Sequence, residues 1–203
     1  VCAAGTLPGE LHKLWRTSVP GGYHVEYGYS CMGYEIAGGI GVKMAHPGRE
    51  VIVVVGDGSY LMLNAEIATS VMLGRKLTIV VLDNRGYGCI SRLQQAVGGA
   101  PFNNLLDDCT DGGGTAPAID FAAHARSLGA QAEHVGSIAE LEAALARARS
   151  SDRTCVVSID TSPSRSTEAG GCWWEVAVPA VSEREEVDAA RRRYEQDKRR
   201  QLP

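Results

Sequence analysis

With 203 residues, 44% of them hydrophobic, and a net charge of −4, the chain can bury one good core and is expected to form one domain. The acidic balance argues against a general nucleic-acid binder, which carries a basic face, and no apolar run approaches the roughly 20 residues needed to span a bilayer. Six cysteines (Cys2, Cys31, Cys89, Cys109, Cys155, Cys172) stand apart with no Cys-x-x-Cys pair, so the expectation is reduced, mostly buried thiols in a cytoplasmic protein, without zinc or redox chemistry.

In chain order, the first segment, "VCAAGTLPGELHKLW", lacks the basic start and apolar middle of a signal peptide and opens on Val rather than Met, which suits a piece of a longer polypeptide. "YEIAGGIGVKMA" (34–45) reads as a helix whose small residues permit close packing. "VIVVV" (51–55) and "LTIVVL" (77–82) are short apolar runs rich in β-branched residues, as expected of strands covered on both faces. Between them Leu61, Ala65, Ala68 and Met72 recur at helical spacing, and Gly74 follows as a stop, so the segment predicts a βαβ unit with parallel strands.

Residues 94–120 form a long Gly-rich connection, expected to be a mobile loop or lid. "DFAAHARSLGA" and "SIAELEAALARARS" read as helices around a strand at 131–135, and "TCVVSID" (154–160) supplies another buried strand. The tail carries Trp173 and Trp174, which either cover a pocket or pack back on the domain, and ends in "RRRYEQDKRR", a solvated helix end. The pattern predicts an α/β fold: a doubly wound, mostly parallel sheet with helices on both faces.

The chemistry concentrates at "VIVVVGDGSY". Gly56 and Gly58 let the backbone approach a ligand, and Ser59 can cap the following helix or bond an anion itself. Asp57 between the glycines opposes direct phosphate contact, and Leu61 stands where a dinucleotide-binding fingerprint requires its third glycine. Both objections vanish if a divalent cation sits between the carboxylate and a diphosphate. Magnesium takes one or two protein oxygens and completes an octahedron with phosphate and water. Asn84, closing the next strand, is the second expected ligand, and the Gly86 carbonyl could be a third.

From Gly58, 24 residues (Ser59 to Leu82) precede the pair Asp83-Asn84, and this spacing resembles the GDG…NN motif of thiamine-diphosphate enzymes, with Asp83 in place of the first Asn. "GYSCMGYEIAGGIGVKMA" (28–45) is similar to the block ahead of GDG in the acetolactate synthase-like members of that family. The resemblance implies thiamine diphosphate and Mg2+ as cofactors, with Met32 buttressing the bent cofactor beside Gly33 and the backbone of Ser30 to Met32 bonding its aminopyrimidine. "GELHKLW" resembles a Gly-Gln-His-x-x-Trp element that helps hold the diphosphate; His12 and Trp15 match, and Leu11 replaces the Gln.

"YHVEYGYSCMGYEIAGG" and "WWEV" resemble a subgroup of hydrolases that open a cyclic 1,2-dione in myo-inositol breakdown, over nearly the whole chain but only the last third of such enzymes. An acetolactate synthase-like carboligase, a 2-oxo-acid decarboxylase and a non-catalytic cofactor-binding module remain open beside it. His24 and Glu26 are candidates for reaching a cyclic dione substrate or moving protons, and Glu66 matches an acid common after GDG; for all three an ordinary polar contact is the competing reading. The glutamate that activates the cofactor is expected from a pyrimidine-binding domain outside this chain, on a partner subunit of a dimer or tetramer. By itself the chain is therefore expected to be inactive.

Overall fold

A computed structural model describes residues 1–109, 114–167 and 176–200. Four strands, β1 (Ile52–Gly56), β2 (Thr78–Asp83), β3 (Gln131–Val135) and β4 (Cys155–Asp160), form one sheet in the order β1-β2-β4-β3. Every pairing is parallel, with Gly56 opposite Leu82 and Asp83 opposite Asp160. Beyond β1 the sheet continues in rudiment: Val54 N donates to the Val1 carbonyl, and Cys2 is bridged in parallel to Val25. The four strands lie within a residue of the β-branched runs that predict them.

Helices cover both faces. α2 (Tyr34–Ala45), α4 (Glu66–Met72) and α6 (Phe121–Ser127) pack Ile36, Ile40, Ile67, Phe121 and Ala125 against Val53, Val55, Ile79, Val81 and Val156. α7 (Ile138–Ser150) sets Ala144 on the opposite face, against Val157 and Ile159. The small residues of α2 serve the close packing expected of them: a Cβ on Gly39 would stand 2.5 Å from a Val53 methyl. α1 (Thr6–Leu14) lies beside β1, α5 (Gly88–Ala96) follows β2, and α8 (Glu185–Lys198) builds a separate cluster from Val178, Val187, Ala190 and Tyr194.

Three expectations need correction. The helix after the glycine turn is two helices, α3 (Asp57–Met62) and α4, broken at Leu63, whose backbone leaves the helical region (φ −147°, ψ 54°). The predicted face is also wrong: Tyr60, Ile67 and Ser70 are buried, whereas Leu61 and Met72 are exposed. Apolar side chains at Tyr60, Leu61, Met62, Leu63, Ile67 and Val71 fall on several sides of the helical path, so spacing alone could not choose the inner side. The thiols are not mostly buried either, since Cys31 and Cys109 are exposed, Cys89 is intermediate and only Cys2 and Cys155 are buried among those described. Gly74, in contrast, ends α4 in the left-handed conformation (φ 59°), with Arg75 N returning to Ser70 O.

Of the long connection 94–120, the first residues complete α5 and Leu106–Cys109 form a 3-10 turn. Trp173 and Trp174 lie outside the described residues. Among the described residues no helix is long and apolar enough to cross a membrane.

Candidate functional site

The parallel strands β1 and β2 end side by side, and the turns that leave them bring together the residues singled out by spacing. Asp57 starts α3, is 4% exposed, and its Oδ2 accepts from Gly86 N at 2.6 Å. One end of the Asn84 side-chain amide lies 2.6 Å from the Gly86 carbonyl oxygen and 3.1 Å from Asp57 Oδ1. With nitrogen at that end the amide donates to both acceptors. With oxygen there, the Asn84 oxygen stands against the Gly86 carbonyl oxygen and Asp57 Oδ1, a crowding of oxygens that a cation stabilises. Among the described residues no three His, Cys, Asp or Glu side chains gather as metal ligands, and the oxygens that meet here belong to one carboxylate, one side-chain amide and one backbone carbonyl. That all-oxygen chemistry fits a hard cation and not zinc.

The carboxyl of Asp57 is raised from 3.8 to about 6. Burial is the main cause and the charge of Asp83 adds to it, against the backbone N–H groups of Gly86, Gly58 and Asn84. Asp83 Oδ1 accepts from Arg85 N at 2.8 Å and closes a turn that holds Arg85 in the left-handed region at φ 62°. The far side of the turn is fastened to the long connection. Tyr87 N donates to Asn104 O at 2.7 Å, Leu106 N donates to Arg85 O at 2.8 Å, and the Arg85 guanidinium meets Asp107 at 2.9 Å. Gly86 has φ 135°, and a Cβ there would stand 2.5 Å from Asn104 O, so both its conformation and its neighbours require glycine.

The two glycines around Asp57 differ in why they lack a side chain. A Cβ on Gly58 would collide with the Tyr87 ring at 2.7 Å. Gly56 has an ordinary φ of −78° and nothing within 4 Å of where a Cβ would lie, so space is left open beside Asp57. Ser59 does not cap α3, contrary to one expectation for it. Its hydroxyl donates to Glu35 Oε1 and Oε2 at 2.7 and 2.8 Å and accepts from Gly33 N at 2.7 Å. The hydroxyl proton is thus already engaged, and the backbone N–H is what this position can offer an anion.

Glu35 is the functional candidate that sequence reasoning missed. It is 1% exposed, and burial raises its proton affinity against hydrogen bonds donated by its own N–H, Ser59, Gly33 and Ala4. The signal was present: a lone acid in the otherwise apolar "YEIAGGIG" needs a partner if the helix is buried.

The other candidates have ordinary partners. Glu26 accepts from Tyr29 N at 3.1 Å and Cys31 N at 2.7 Å, and so shapes the 28–31 loop, in which Ser30 has φ 55°. His24 Nε2 lies 2.6 Å from the Tyr34 hydroxyl, with the two rings stacked. Met32 is half-buried beside Gly33, which has φ 91° and precedes α2. His12 is exposed and edge-on to Tyr23 and Tyr27, and makes no ring contact or hydrogen bond with the Asp57–Ser59 turn. Glu66 begins α4, half-buried, without a hydrogen-bonding partner among the described residues.

Comparison with known proteins follows the same division of the chain. The family described as thiamine pyrophosphate enzyme, C-terminal TPP binding domain, matches residues 3–159. The 3D-(3,5/4)-trihydroxycyclohexane-1,2-dione hydrolase of Bacillus subtilis (strain 168) is 40% identical over 198 residues, 94% of this chain and 29% of that protein. The enzyme of the same name from Halalkalibacterium halodurans is 40% identical over 191 residues, 94% of this chain and 30% of its own length. The chain therefore spans less than a third of these curated relatives. A thiamine diphosphate-dependent 4-hydroxybenzoylformate decarboxylase of Rhodococcus jostii RHA1 superposes with a TM-score of 0.56 at 21% identity, covering 68% of this chain and 25% of the decarboxylase, a likeness of fold alone.

Proposed function

This chain belongs to the C-terminal TPP-binding domains of the thiamine pyrophosphate enzymes, and on that basis we propose that it holds the diphosphate end of the cofactor through Mg2+ on Asp57, Asn84 and the Gly86 carbonyl. The observation that carries the metal is the convergence of these three donors where β1 and β2 end. The open space at Gly56 and the N–H groups of Gly58 and Ser59 suit a diphosphate bridged by that cation. Met32, Gly33 and the Ser30 backbone, one loop away, take the pyrimidine end. His12 is a weaker candidate for the diphosphate, because its ring sits among tyrosines.

For the complete enzyme we propose hydrolytic opening of a trihydroxycyclohexane-1,2-dione, the activity for which relatives at 40% identity are named. When bound, thiamine diphosphate supplies the carbon–carbon cleavage chemistry, and the protein contributes orientation and charge. The activating acid comes from a pyrimidine-binding domain, in a homo-oligomer whose partner subunit completes the site. Nothing beyond fold supports the 2-oxo-acid decarboxylase reading.

Titration calorimetry of the complete enzyme tests the cofactor assignment. Asp57→Ala is expected to abolish Mg2+-dependent thiamine diphosphate binding while leaving the fold intact, and equal affinity in variant and parent overturns the metal assignment. A screen of the cyclic dione against 2-oxo acids tests the substrate, and turnover of 2-oxo acids alone overturns that part.

A further inference from the structure

Glu35 is the most deeply buried carboxyl among the described residues and belongs to none of the groups assigned above to metal or diphosphate. It stands in the first turn of α2 and closes a triangle. Ser59 Oγ donates to both of its oxygens at 2.7 and 2.8 Å, Gly33 N donates to its Oε2 at 3.0 Å, and Gly33 N also reaches Ser59 Oγ at 2.7 Å. One corner is the left-handed Gly33 that ends the Ser30–Gly33 loop; another is the residue two beyond Asp57. A Cβ on Gly33 would meet the Cβ atoms of Met62 and Leu63 at 3.4 Å, so the loop also lies directly on the end of α3.

Burying a carboxyl is costly, and a neutral acceptor would suffice to anchor one helix start. A carboxyl oxygen pair accepts several short bonds at once, here from Gly33 and from Ser59, which lie 26 residues apart in sequence. Glu35 reaches no open space from which a substrate or cofactor atom could take its proton, since every group bonded to it is a donor of this chain. Its geometry is that of a fastener.

We propose that Glu35 is a positioning residue that locks the Ser30–Gly33 loop to the Gly56–Ser59 turn, so that the pyrimidine-side and diphosphate-side holders of one cofactor keep a fixed separation. This rests on the functional reading above. The consequence is selective: the triangle matters for a ligand long enough to touch both segments and not for one that occupies the diphosphate end alone.

The test compares Mg2+-dependent binding of thiamine diphosphate and of inorganic pyrophosphate by calorimetry in the complete enzyme. Glu35→Gln is expected to weaken thiamine diphosphate by at least about tenfold and to change pyrophosphate by less than about twofold. Glu35→Asp keeps the charge on a side chain too short to hold both donors and is expected to show the same selective loss, which keeps the test open if Glu35→Gln fails to fold. General destabilisation would not move the ratio of the two affinities. Equal loss for both ligands, or no loss for either, overturns the proposal. A parent enzyme that binds neither ligand overturns the functional reading itself and this inference with it, and that failure shows before any substitution is made.

Discussion

Asp57 is buried, and its carboxyl is raised from 3.8 to about 6. That rise corresponds to about 3 kcal/mol between the protonated and the ionised form. The sign follows from linkage: with the folded value raised, the contribution to stability is complete below pH 3.8 and is lost as pH rises through about 6. At neutral pH, with the carboxyl ionised, the domain thus carries most of this penalty. The proposed Mg2+ is expected to reverse it, because the ionised carboxylate is the form that binds metal. Asp57→Asn removes the charge while keeping the shape. In the absence of Mg2+ it is expected to melt roughly 6–12 °C above the parent at about pH 8, taking 2–4 °C per kcal/mol for a domain of this size. At about pH 4 the two should melt together. Stabilisation of the parent by Mg2+ with thiamine diphosphate should grow between about pH 5 and about pH 8 and be absent in Asp57→Asn. Differential scanning fluorimetry across that range is the measurement. An Asp57→Asn protein no more stable than the parent at about pH 8, or a cofactor effect indifferent to pH, refutes the reasoning.

Much of this site could be read from residue order because the fold ties it to strand ends. A β-branched run followed by Gly56-Asp57-Gly58, with Asn84 closing the next such run, fixes the neighbourhood: parallel pairing sets Gly56 opposite Leu82, and the turns that follow must meet. What the spacing could not show was how side chains divide the work. Ser59 looks like a cap or an anion ligand in sequence, and only the fold turns its hydroxyl inward to Glu35. Glu26 and His24 look like proton carriers until their partners, the 28–31 backbone and Tyr34, come within reach. The inner face of α3 and α4 was not legible either. Leu61 and Tyr60 are both apolar, and the choice between them is made by tertiary packing against Phe121. That choice leaves Leu61, Met62 and Leu63 outside, at 46%, 48% and 39% exposure, beside the loop that holds Gly33.

The turn proposed to hold the metal is sensitive to its neighbours. Gly86→Ala, which forces a Cβ to 2.5 Å from Asn104 O at φ 135°, is expected to destabilise the domain by more than about 2 kcal/mol in urea unfolding and to lose the cofactor; unchanged stability counts against the turn geometry. Because Arg85, Tyr87 and Gly86 pair with 104–107, hydrogen exchange of that stretch is expected to slow when Mg2+ and thiamine diphosphate bind, and identical exchange with and without cofactor would separate the long connection from the site. The last prediction concerns the chain by itself. Leu61, Met62 and Leu63 are consecutive exposed apolar residues at the end of α3, beside Gly33, and an exposed apolar patch of this kind marks an interaction surface. The proposed occupant is the pyrimidine-binding domain of a partner subunit, which also brings the activating acid. Without that domain the patch should drive self-association, seen by sedimentation as a concentration-dependent dimer that Leu61→Glu with Leu63→Glu returns to monomer. Turnover of the cyclic dione should be absent and should return in part when the missing domain is added in trans. Hydrolysis by the isolated chain with Mg2+ and thiamine diphosphate would place the activating acid inside it. Glu66, half-buried at the start of α4 and without a hydrogen-bonding partner among the described residues, would then be the first residue to replace.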